Sequence, residues 1–198
     1  MALLPTLDDF LAYVAPDNVG AGVQTRATTA LAAAKQAVYA HCGRDFTVSS
    51  ASSTRTYRPE PNSRRLSIDD CTTISAVVEN GTSLTVNVDY VAEPLNNRNA
   101  RGRTVPCDSL VRYGQDWHRD DVLPTVSVTA VWGWSTTAVP DEAVEAVLML
   151  AKDVFQARDL RGDVAGFTDF GAVRIRQNGQ IASLLKDLRR LEAWAGIA

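Results

Sequence analysis

Residues 126–160 read VSVTAVWGWSTTAVPDEAVEAVLMLAKDVFQARDL, and the fold turns on the change of period inside them. Up to Trp134 the apolar side chains fall on every second position. Val126, Val128, Ala130, Trp132 and Trp134 therefore share one face, the pattern of a strand that lays two tryptophans on a core or a neighbour. After Val139 the spacing becomes three and four. Pro140 suits the first helical position, where its missing N–H costs nothing, and Asp141 and Glu142 complement the positive helix end. Val144, Val147, Leu148, Ala151, Val154 and Phe155 make one apolar face, and Ala143, Ala146, Leu150 and Ala157 cover most of a second. Such a helix touches elements on two sides.

Working towards the N-terminus, period two holds from about residue 47. Residues 74–79 (ISAVVE), the turn Asn80-Gly81 and residues 82–91 (TSLTVNVDYV) predict a hairpin, because Asn-Gly supplies the two positive-φ positions that a two-residue turn needs. Further strands are expected at Thr54–Arg58, Arg65–Ile68 and Leu110–Tyr113, with the last running from Pro124 to Trp134. Before residue 47 the period is helical again. Val23, Ala27, Ala30, Leu31, Ala34, Val38 and Cys42 line one face of a helix that Gly43 closes. A shorter helix follows Thr6, whose hydroxyl caps it, with Asp8 and Asp9 in the first turn. Beyond residue 160, residues 161–179 carry four glycines and the alternation Val173-Arg-Ile-Arg176, which predicts a loop or short strand. A final helix is expected over Gln180–Trp194, with Ile181, Leu184, Leu185, Leu188 and Leu191 on one face. The expected fold is α+β: an antiparallel helical bundle from residues 1–46 and 135–198, interrupted by an inserted antiparallel β domain over 47–134.

Composition narrows the function. The 198 residues are 45% hydrophobic and 22% charged, with 20 Lys and Arg against 23 Asp and Glu, the range of an ordinary globular chain. The net charge of −3 is spread along the sequence, which excludes the strongly basic face of a dedicated nucleic-acid binder. The start, MALLPTLDDFLAYVAP, has no basic stretch and argues against a signal peptide, and no apolar run approaches the roughly 18 residues of a membrane span. Cys42, Cys71 and Cys107 are odd in number and far apart, matching neither a zinc knuckle nor a CxxC pair, and read as buried reduced thiols.

Chemistry-bearing motifs are sparse. There is no GxxxxGK, no GxSxG and no GxGxxG after a strand. Of the two histidines, His41 falls at a helix end beside Cys42, where adjacent residues do not face each other and a structural role is expected. The run Asp116-Trp117-His118-Arg119-Asp120-Asp121 is the one cluster that could hold a cation, yet its spacing fits neither a calcium loop nor a zinc site and suits a solvated polar loop. Two arginine groups remain, Arg55, Arg58, Arg64 and Arg65, then Arg98, Arg101 and Arg103. Guanidinium groups can meet phosphates or carboxylates; an acidic protein surface is the expected partner if they face one at all. No catalytic residue, cofactor or metal is expected.

Three stretches together resemble the head-to-tail connector, or adaptor, proteins of tailed bacteriophages. The first is the strand ending in Trp132-Gly133-Trp134, followed by a short Pro loop and a long Ala-rich helix ending in Arg158-Asp159. The second is the alanine-rich helix ending at Cys42-Gly-Arg-Asp-Phe46, and the third is the NGT…VDY hairpin ahead of an Arg-Gly loop. The β segment of nearly ninety residues is longer than in compact members of that family. The resemblance implies a structural virion protein at the head–tail junction, assembled in the host cytoplasm, with copies forming a ring, twelve-fold in that family, beneath the portal protein. Such a ring extends the channel through which double-stranded DNA passes and meets a neck, stopper or tail protein on its other side. A mildly acidic chain suits a conduit, since many phosphate contacts would hold the DNA back. Under this resemblance Val144, Val147, Leu148, Phe155 and Arg158 are the expected ring interface, and Leu184, Leu185, Leu188, Leu191 and Trp194 the expected portal-docking face. The alternatives are another neck or tail-completion ring protein, a stopper or tail terminator, or a small metal-binding or hydrolytic domain using residues 116–121.

Overall fold

A computed structural model describes residues 4–16, 19–99, 102–135, 139–160 and 178–190, without the side chains of Val48 and of residues 157–160. Its class is α+β, with four helices and an antiparallel sheet among the described residues. The chain divides into two compact units, Met1–Arg44 with Val139–Ala198, and Asp45–Ala138.

In the first unit, α1 (Leu7–Val14) opens on a capping box: the Asp9 amide donates to the Thr6 hydroxyl while the Asp9 carboxylate accepts from the Thr6 amide at 2.8 Å. Helix α2 (Ala21–Cys42) ends at Gly43 in the left-handed conformation, as the sequence predicts. Its buried stripe is small: Ala27, Ala30, Leu31, Ala34, Val38 and Cys42. Small side chains let α2 lie against α3 (Asp141–Leu160), whose fully buried residues include Ala143, Ala146, Val147, Leu150 and Ala151. The face carrying Ala143, Ala146 and Leu150 is thus the more deeply buried, and Val144 and Leu148 from the other face are half-buried. Phe155 stands edge-on to Phe10 of α1 with ring centroids 5.9 Å apart.

Helix α4 (Gly179–Leu185) packs on α3 and stops well before Trp194. Lys186–Leu188 is a single 3₁₀ turn, Arg189 is extended, and the Arg190 amide donates to the Cys42 carbonyl at 2.8 Å. That carbonyl is among the last four of α2, which no helical amide can satisfy. The Arg190 amide is thus taken up by α2 and not by a continuing α4. The expected Val173–Arg176 strand and the Leu191 to Trp194 turn lie outside the described residues.

The second unit is a curled sheet with strand order β1–β6–β2–β5–β4, formed by β1 (Val48–Tyr57), β6 (Val126–Gly133), β2 (Arg65–Glu79), β5 (Cys107–Arg112) and β4 (Tyr90–Glu93), with β3 (Thr82–Leu84) also on β2. The two strands expected within 65–79 are one strand, bent by register shifts between Ser67 and Cys71, Cys71 and Thr73, and Ile74 and Ala76. Straight, its 15 residues would hold Arg65 and Glu79 about 45 Å apart. Instead both ends meet Arg112: its amide donates to the Arg64 carbonyl and its guanidinium reaches Glu79, each at 2.8 Å. The core enclosed by this curl contains Leu66, Ile68, Val77, Leu110, Val126, Val128 and Trp132.

The Asn80-Gly81 turn forms with both φ angles positive, 46° and 80°. The strand expected after it does not run on to Val91. It breaks after Leu84 because Thr85 is held by a local network, its amide donating to Asp89 Oδ2 and its carbonyl accepting from the Asp89 amide, each at 2.8 Å. Val86 and Val88 consequently stand exposed. All five alternating residues of 126–134 are buried, but Gly133, the last of β6, adopts φ 93° and an added Cβ would lie 2.2 Å from the Thr47 carbonyl oxygen. The bend aims the tryptophans at different neighbours, Trp132 at Tyr57 and Trp134 at Phe46 and Asp70.

Candidate functional site

The polar run 116–121 is built into the fold. Asp120 Oδ1 accepts from the amides of Val122 and Leu123 at 2.8 Å each, and these bonds hold its carboxyl below the usual aspartate value. Asp116 lies 3.9 Å from Arg64, Asp121 3.4 Å from Arg119, and the His118 amide donates to Glu79 Oε1 at 2.7 Å. The three carboxylates thus diverge to separate partners. Among the described residues no three His, Cys, Asp or Glu are grouped to hold a metal ion.

The arginines that the sequence offers to an acidic partner are mostly engaged within the chain. Arg55 binds Asp69 at 2.7 Å and stacks over Trp132 at 4.5 Å, and Tyr57 donates to the same Asp69 oxygen at 2.9 Å. Arg65 bridges Ser109 and Glu93, Arg58 donates to the Val122 carbonyl, and Arg98 donates to the Gly102 carbonyl at 2.7 Å. Arg101 lies outside the described residues. Of the engaged arginines, Arg55 and Arg65 are paired with carboxylates, whereas Arg58 and Arg98 keep their charge and donate to backbone carbonyls.

Sequence reading misses the Glu79–Arg112 pair, because its partners are 33 positions apart with no local signal. Nε and Nη2 of Arg112 donate to one Glu79 oxygen at 3.1 and 2.8 Å, and Nη1 donates to the Asp89 carbonyl at 2.8 Å. The guanidinium also sits 5.6 Å over the Trp117 ring, and the side chains of Glu79 and Arg112 are only 7% and 9% exposed. The three cysteines are free thiols and buried, as expected. Burial pushes Cys42 up to about 12, so it is an unreactive thiol at neutral pH.

The residues expected to mediate assembly fall into three groups. Val147, Phe155 and Leu185 are buried within the chain itself. Val144, Leu148, Leu184 and Leu188 are half-buried and keep accessible surface. The Arg158 side chain, Leu191 and Trp194 lie outside the described residues. Among the described residues, the apolar side chains most open to a partner lie outside that expected set: Tyr13 and Val19 in the helical unit, and Val86, Val88, Leu95, Tyr113, Val122 and Leu123 in the sheet unit. Tyr13 is on α1, and Val86, Val88 and Tyr113 fall in stretches expected as strand that the fold leaves open.

No family model matches the sequence, and neither does any curated protein. Solved structures do match. A chain of the neck of an empty gene transfer agent (GTA) particle, computed with C6 symmetry, superposes with a TM-score of 0.56 at 17% identity, covering 99% of this chain and 96% of that one. A chain of the virion of a native GTA particle gives a TM-score of 0.56 at 18% identity, covering 98% and 96%. The chain thus shares, over nearly its whole length, the fold of chains found in gene transfer agent particles.

Proposed function

We propose that this chain is a structural, non-enzymatic component of the neck of a phage-like particle: the head-to-tail adaptor, forming a ring beneath the portal and lengthening the DNA channel towards the tail. The observation that carries this reading is the end-to-end fold match to a neck chain, which leaves little of either chain unaccounted for. The internal pairing of Arg55, Arg58, Arg65 and Arg98 supports passage of double-stranded DNA without a grip on it. In this reading 116–121 is a structural loop, its carboxylates turned to separate partners.

In this reading the helices form the ring body as a bundle that receives the β unit as an insertion, twelve copies close the ring, and a neighbouring stopper or tail protein sits below. A ring needs a head-to-tail contact on each side of every subunit. Val144 and Leu148 on the accessible flank of α3, with Arg158, belong to that contact; Val147 and Phe155 support it from inside the subunit. The portal docks on Leu184 and Leu188, with Leu191 and Trp194 beyond them and Leu185 anchoring the element in its own fold. Leu188→Asp tests this. Particles purified from cells making the variant should lack the chain while carrying the wild type, with the variant's circular dichroism unchanged; a variant retained at wild-type levels contradicts docking through this element.

A further inference from the structure

Strands β2 and β5 bring two thiols face to face. Cys71 and Cys107 are register partners across the antiparallel pair, and they are 0% and 3% exposed. The Cys107 thiol donates to the Ser109 carbonyl oxygen at 3.4 Å. Directly opposed residues in such a pair have Cα atoms about 4.5–5.5 Å apart, inside the roughly 4.4–6.8 Å that a disulfide spans. Side-chain rotation can therefore close the bond with little movement of either strand. Two features make the place consequential. The ladder is irregular on both sides of Cys71, towards Ser67 and towards Thr73, and this is where β2 bends. Residues 71 and 107 also bracket β3, β4 and the 85–89 turn, so a bond between them closes a long loop.

We propose that Cys71 and Cys107 form an oxidation site, a thiol pair that hydrogen peroxide converts into a disulfide tying β2 to β5 at the bend. Cys107, whose thiol is shifted down while that of Cys71 is shifted up, attacks peroxide as its thiolate and becomes a sulfenic acid with release of hydroxide. The second thiol then displaces the sulfenic oxygen, forming the S–S bond and releasing water. Overall two thiols lose two hydrogens, the sulfurs are oxidised, and one peroxide is reduced to two waters. Peroxide is small enough to reach a buried pair through local opening of the sheet. Cys42, in the helical unit, has no such partner thiol across a strand and stays reduced. The setting in which the bond matters, a particle leaving a reducing cell for an oxidising medium, rests on the neck reading. The chemistry does not, and the isolated chain tests it.

The full wild-type chain is treated with hydrogen peroxide, quenched with catalase, unfolded in the presence of an alkylating reagent and mapped by peptide mass spectrometry. The expected product is a Cys71–Cys107 cross-linked peptide two hydrogens lighter than the free pair, with Cys42 alkylated. Its thermal midpoint should rise by about 5 °C and return on adding dithiothreitol, because the cross-link restricts the unfolded chain. Cys71→Ser and Cys107→Ser should show neither change; if these variants do not fold, the wild-type peptide map decides alone. Recovery of both cysteines as alkylated thiols, as sulfinic acids without a cross-link, or in bonds between molecules would overturn the proposal.

Discussion

Arg112 shows how much one side chain can decide. Its guanidinium, held by Glu79 and the Asp89 carbonyl, joins the far end of β2 to the end of β5. Removing one partner leaves the other charge buried without compensation, which costs about 3–5 kcal/mol, whereas replacing both with apolar groups of similar volume is far milder. Arg112→Ala should therefore lower the stability of the sheet unit by that amount in urea unfolding, and Glu79→Leu combined with Arg112→Met should recover most of it. Equal losses in the single and double variants would mean that the pair contributes only through packing. Asp9 makes a smaller, pH-dependent contribution. Hydrogen bonds from Thr6 lower its pKa from 3.8, so the native state holds the carboxylate more strongly than the unfolded chain does. The resulting stability is full above the unfolded value and disappears as pH falls from about 3.8 through the lower native value. Asp9→Asn should flatten that acid limb of a thermal melt series while changing little at pH 7.

At the scale of elements, legibility followed the range of the interactions. Thr6 and Asp9, Gly43, and Asn80-Gly81 act within a few residues, and each produced the cap or turn that its chemistry predicts. The length of β2 was not readable, because Asp69 to Thr73 interrupt the alternation while the strand bends through bulges whose cause is pairing with β5 and β6. The end of α4 was not readable either, since the Cys42 carbonyl that draws Arg190 away lies nearly 150 positions upstream. Of the apolar stripes on α3 and α4, the spacing was legible, but which members stay accessible depends on packing that only the folded chain reveals. The α2–α3 contact gives a sharp test of packing. Ala146 is fully buried where a small residue allows close approach. Ala146→Leu should destabilise the helical unit by about 1–3 kcal/mol through overpacking, seen as a lower thermal midpoint by circular dichroism. An unchanged midpoint would mean that the helices have room to part.

For the whole molecule, both units carry accessible apolar side chains. The helical unit carries the half-buried Val144, Leu148, Leu184 and Leu188, and the sheet unit carries exposed Val86, Val88, Tyr113, Val122 and Leu123. Such residues on both units suit a subunit that has neighbours within a ring and others above and below it. Among the described residues the carboxylates of 116–121 diverge to separate partners, and Arg55 and Arg65 are paired with carboxylates of the same chain. The measurement that bears most directly on the neck reading is gold-antibody labelling of intact particles from the source, imaged by electron microscopy. Label confined to one vertex, at the junction of head and tail, is the predicted result; its absence from purified particles, or its distribution over the whole capsid, would contradict the neck reading.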